Sequence, residues 1–178
     1  MAHEKYLAMC AAAGVLVSMA GQRAAAEVVS VAGNGFELRE SAHTAASPDK
    51  VYAALLQPAR WWSSDHTFSG NAANLVLEAR AGGCWCENIP EGGSAEHMRV
   101  VFLMPGKILR LRGPLGPLQG MGVDGALTFT LKSAANGTDI AVSYAAGGYA
   151  KDGFDEMAKT VDHVLGEQME LLKKLIDG

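Results

Sequence analysis

Basic charge is scarce in this chain, and none of it is clustered. Fifteen Lys and Arg stand against nineteen Asp and Glu in 178 residues, for a net charge of −4. A weakly acidic chain without a Lys/Arg cluster lacks the electrostatic footprint of a nucleic-acid or anionic-membrane binder. Aromatic platforms with interleaved Arg or Lys, the pattern of single-strand binding, are missing too. No P-loop, dinucleotide fingerprint or G-x-S-x-G elbow is present. Neither an internal repeat nor a low-complexity linker follows residue 27, which leaves room for one domain with one core. Cysteine is rare: three residues, Cys10, Cys84 and Cys86.

The chain opens on "MAHEKYLAMCAAAGVLVSMAGQRAAAEVVS". A short head with Lys5 precedes an apolar stretch from Tyr6 to Ala20, and Ala24 and Ala26 form a small-x-small site before Glu27. This is the layout of a secretory signal peptide over residues 1–26. The apolar stretch falls short of the roughly 20 residues of a membrane span. The alternative is an uncleaved anchor helix. With cleavage, the mature domain is 27–178, periplasmic or secreted, with no stable membrane insertion. It keeps Cys84 and Cys86, an even pair that export would allow to oxidise.

Residue patterns set out the rest. "GFELRESAHT" alternates as a strand with one wet face does. "SPDKVYAALLQPARWW" is a helix: Ser47 caps it, Pro48 takes the first position, and Pro58 ends or bends it. "NLVLEAR", "CWCENI", "EHMRVVFLM", "KILRLRG", "GALTFTLK" and "TDIAVSYAA" read as strands, joined by Gly, Pro and Asn clusters with hairpin chemistry. "GPLGPLQGMGV" cannot be a regular element, yet Leu115, Leu118 and Met121 are apolar, so it reads as a loop folded over something. From Phe154 onward, apolar residues recur at helical spacing. The sum is an α+β fold: a curved antiparallel meander with a long C-terminal helix against its concave face. Between the two, a void suited to a small apolar ligand is expected.

In "SPDKVYAALLQPARWW", "EARAGGCWCE", "HMRVVFLMPGKILRLRGPLGPL" and "GTDIAVSYAAGG", followed by the closing helix, the chain resembles the START-like superfamily, also called SRPBCC. Within it, the chain is most similar to the branch of polyketide cyclases and heat-shock protein 90 ATPase activator homologues. The resemblance covers roughly residues 35 to 177. It implies the helix-grip fold and says little about activity, since relatives include ligand carriers, cyclases, hydrolases and co-chaperones. The leader departs from the co-chaperone reading. In this fold the segment after the first helix borders the cavity mouth. The resemblance therefore sets Trp61 and Trp62 there, one packed under the rim and one lining the pocket, with "GPLGPLQGMG" as the facing lip. The alternative is that both tryptophans only plug the open end of the sheet.

The expected ligand site is Trp61, Trp62, His66, Trp85, Leu115, Leu118 and Met121, with a small hydrophobic or aromatic molecule as partner and no cofactor. Cys84 and Cys86 share one face of a strand. If "NIPEGGSA" is the hairpin loop, Glu87 pairs with Glu96, and Cys86 faces His97. Two thiols and an imidazole together could ligate zinc or copper, with His66 as a fourth ligand. The plainer reading is two small thiols, inert or redox-labile. A disulfide across two residues of an extended strand is disfavoured, because the Cα atoms would lie about 7 Å apart. Glu78, Glu87 and Glu96 are expected on the wet face, Asp124 in a turn, and His163 at a helix edge. The run Ser63, Ser64, Asp65, His66 is too local for a catalytic triad. Binding is therefore preferred, with a cyclase- or hydrolase-type enzyme as the alternative. A wall of only Trp, Leu, Met and Val would mean binding, whereas a buried Glu or His facing inward would reopen catalysis.

Overall fold

The computed structural model describes residues 25–178. The leader expected over residues 1–26 lies outside them, except that Ala25 and Ala26 begin the first strand. Eight strands form one antiparallel sheet: β1 (Ala25–Ala32), β2 (Gly35–Thr44), β3 (Leu75–Leu77), β4 (Cys84–Ile89), β5 (Gly93–Met104), β6 (Ile108–Arg112), β7 (Gly122–Ala134) and β8 (Gly137–Tyr149). Their order is β1-β2-β8-β7-β6-β5-β4-β3. Two α-helices complete the described residues, α1 (Pro48–Leu55) and α2 (Asp155–Asp177). The sheet curves around α2 in a helix-grip fold.

Local chemistry accounts for most of these elements. The Ser47 hydroxyl accepts the Lys50 N–H at the start of α1. Pro58 begins a separate 3-10 turn through Arg60, which hands the chain to Trp61. The apolar face of α2, with Ala158, Leu165, Met169, Leu172 and Ile176 buried, packs on β1 and β2. Its far end is pinned by Lys50 Nζ, which donates to the Ile176 carbonyl at 2.7 Å, and by Thr44, whose hydroxyl donates to Asp177.

Three expectations are corrected. Ala25–Ala32 is an edge strand that the pattern reading missed. Asp124 is not a turn acid: it lies in β7 opposite Gly147 and pairs with Arg112 on the outer surface. The β4–β5 register also differs. Glu87 pairs with Ala95 and Cys86 with Glu96, because the ladder shifts by one residue between Trp85 and Cys86 and leaves His97 in a bulge.

Candidate functional site

A cavity of about 550 Å³ opens between the end of α1, the lip after β6 and the first half of α2. One wall is the loop after α1, with Trp62, His66, Thr67 and Phe68; the facing wall is Leu115, Pro117, Leu118 and Met121. Met157, Val161 and Val164 of α2 close the top. That size falls within the ordinary range for small-molecule sites.

The tryptophans divide the work between them. Trp62 reaches the cavity, and its indole N–H donates to the His66 carbonyl at 3.0 Å. Trp61 and Trp85 do not line the cavity. They stand behind Trp62, with ring centroids 5.5 and 4.9 Å from it in edge-to-face contact. Trp61 packs further back against Phe129. Five of the seven expected ligand residues thus share the cavity wall: Trp62, His66, Leu115, Leu118 and Met121. Trp61 and Trp85 are corrected to its backing. The polar side chains after the tryptophans bond within the loop and to α2: the Ser63 hydroxyl accepts the Asp65 N–H, the Ser64 hydroxyl accepts the Ala72 N–H at 3.0 Å, and His66 pairs with Glu167 at 3.0 Å.

The lip is anchored from beneath. Leu115 N–H donates to the hydroxyl of Tyr144 on β8. Burial pushes the Tyr144 phenol up to about 12, so it stays neutral. Gly125 makes room for it, since a Cβ there would come within 2.7 Å of the Tyr144 ring.

One polar group lies deep in the apolar wall. His97 lines the cavity at 5% exposure, with Phe68 stacked on it at 5.6 Å and Trp85 tilted against it at 6.1 Å. Its Nε2 donates to Glu87 Oε2 at 2.8 Å. Glu87 is fully buried and also accepts the backbone N–H groups of Phe68 and Ser69. Burial alone would raise this carboxyl. The donors from Ser69, Phe68 and His97 outweigh it and hold the group below the usual carboxylate value. The expectation that Glu87 faces solvent is corrected, whereas Glu78 and Glu96 are exposed and paired with Arg80 and Arg99. His163 is exposed on α2.

The expected thiol–imidazole cluster does not form. Trp85 and Glu87 point inward, and Cys84 and Cys86 take the opposite face of β4, so His97 and the sulfurs lie on different sides of the sheet. His66 is committed to Glu167. Among the described residues no group of three His, Cys, Asp or Glu side chains could hold a metal ion. Cys84 and Cys86 are joined by a disulfide instead. Their Cα atoms are 5.3 Å apart, closer than an extended strand allows, so the expected objection to a bridge does not apply.

No family model matches the chain, and no curated protein does. Solved structures do match. A protein of Chromobacterium violaceum is 20% identical, with 80% of this chain and 97% of that one covered and a TM-score of 0.57. One from Mesorhizobium loti is 19% identical over 79% and 96%, TM-score 0.58. Another from Rhodobacter sphaeroides is 19% identical over 85% and 97%, TM-score 0.55. At such identities the likeness establishes the fold alone.

Sequence reasoning missed Glu87 as a member of this site. The signal was available: residues two apart on a strand share a face, so a core Trp85 brings Glu87 inward with it. Phe68 and the α2 residues Met157, Val161 and Val164 could not be assigned to the wall, because that depends on how far the helix stands from the lip.

Proposed function

We propose that this is an exported START-like domain of the SRPBCC type that holds a small hydrophobic or aromatic molecule under its long helix. The observation that carries the reading is the cavity of about 550 Å³, walled by Trp62, the Leu115–Met121 lip and α2. A binding site of this kind needs apolar area for affinity and a few polar groups for orientation, and the wall supplies both. A titration with an apolar aromatic probe is expected to saturate at one equivalent and to change the tryptophan emission. Trp62→Ala should weaken uptake tenfold to a hundredfold, the equivalent of burying one indole face at about 1–3 kcal/mol. Absence of any saturable uptake by the wild-type protein would refute the reading.

Export is supported by the leader-like residues 1–26 and by the Cys84–Cys86 disulfide, which suits an oxidising compartment. Among the described residues no helix is long and apolar enough to cross a membrane. N-terminal sequencing of the protein from its own cells should begin at Glu27; an intact Met1 on cytoplasmic protein contradicts export.

A cyclase- or hydrolase-type enzyme has one observation in its favour, the His97–Glu87 pair at the cavity wall. A general base oriented by a carboxylate has this form. The enzyme reading requires that a bound molecule be converted, and the binding reading requires that it be recovered unchanged. Mass spectrometry of the small molecule after incubation separates the two.

A further inference from the structure

We infer that His97 presents a hydrogen-bond acceptor to the cavity, so that the bound molecule is an alcohol or phenol, an apolar body with one hydroxyl directed at Nδ1. The inference rests on the cavity-binding reading and narrows it. Its basis is the bonding around the imidazole. Glu87, fully buried and fed by two backbone N–H groups, is held as a carboxylate and can only accept. A neutral ring must then carry its proton on Nε2, 2.8 Å from Glu87 Oε2, which leaves the lone pair on Nδ1. Nδ1 has no protein partner among the described residues, and it is not one of the side-chain atoms sealed from solvent. With the residue only 5% exposed and part of the cavity wall, the opening it faces is the cavity. Stacking by Phe68 on one face and contact with Trp85 fix the ring plane.

An acceptor buried in an apolar wall discriminates strongly. A ligand lacking the donor leaves Nδ1 unpaired and desolvated, whereas a hydroxyl satisfies it. A carboxylate ligand would instead set a second negative charge near Glu87.

The test compares 2-naphthol, 2-methylnaphthalene and 2-naphthoate, which share one ring system, by titration calorimetry on the whole protein. 2-Naphthol should bind tenfold or more tighter than the methyl compound and tighter than the carboxylate. In His97→Phe the ratio of naphthol to methyl affinity should fall to about one. Nitrogen-15 spectra of the wild-type histidines give a readout that needs no variant: the Nδ1 resonance of His97 should move with 2-naphthol and stay with 2-methylnaphthalene. Equal binding of naphthol and methyl compound, or preference for the carboxylate, overturns the inference while the cavity reading stands. Uptake of none of the three overturns both.

Discussion

Between pH 5 and pH 8 the folded protein is expected to lose about 4 kcal/mol of stability through one carboxyl group, Glu40, and Glu40→Gln should remove most of that loss. Glu40 points inward from β2 at 2% exposure, and neither of its oxygens has a partner among the described residues. Burial, with the nearby charge of Asp162 on α2, raises it from the ordinary value near 4.5 to about 8. Asp162 is itself raised by burial, opposed by His163. The sign follows from where the proton sits. Above pH 4.5 the unfolded chain releases it while the folded chain keeps it, so the stabilisation is complete below 4.5 and gone above about 8. Gln is neutral at every pH and of the same size. Urea melts should show the variant more stable than wild type at pH 8 by roughly 2–4 kcal/mol, with a flatter pH profile. A wild-type profile already flat from pH 5 to 8 would show that Glu40 is not held neutral.

Glu87→Ala should destabilise the domain by about 3–5 kcal/mol, comparable to breaking a buried charged pair. The substitution leaves three donors without their acceptor: the N–H groups of Phe68 and Ser69, and His97 Nε2. Each unpaired buried donor costs on the order of 1–3 kcal/mol. The loop that carries Phe68 should loosen first, seen as faster amide exchange at residues 68 and 69. Here the pH dependence has the opposite sign. The Glu87 carboxyl is held below its ordinary value, so its contribution is present above about pH 4.5 and lost as pH falls through the lower folded value. Taken with Glu40, maximum stability should lie in mildly acidic solution near pH 5. Exchange at 68 and 69 unchanged in Glu87→Ala would contradict the anchoring role.

The strands and helices were largely legible because their punctuation is chemical. "CWCENI" coincides with β4, Ser47 caps α1, and Gly and Pro clusters mark the hairpins. β1 was hidden because "AAEVVSVA" follows a leader-like stretch and alternates weakly. The lip was legible as an irregular apolar segment, and its contact with the cavity followed from the resemblance. The thiol–imidazole cluster failed through one residue. A bulge at His97 reverses which side of the sheet it shares, and bulges leave little trace in alternation. The disulfide failed for a related reason, since ideal strand spacing does not hold where the strand is bent. The inward position of Glu40 follows from the same alternation, since Phe36, Leu38 and Glu40 stand two apart on one strand; what the sequence does not reveal is that the carboxyl has no partner there among the described residues.

On the proposed function, the space beside Trp62 is a binding site and not a packing defect. Val161 sits on α2 at its top, partly buried and facing the lip. Calorimetric titration of wild type and Val161→Trp with 2-naphthol distinguishes the two, since an indole at that position fills the space. Wild type should bind one equivalent, with a heat that grows more negative as temperature rises, the mark of apolar burial. Val161→Trp should fold and bind at least a hundredfold more weakly. Equal binding by both proteins, or none by wild type, would mean that this space is not a binding site.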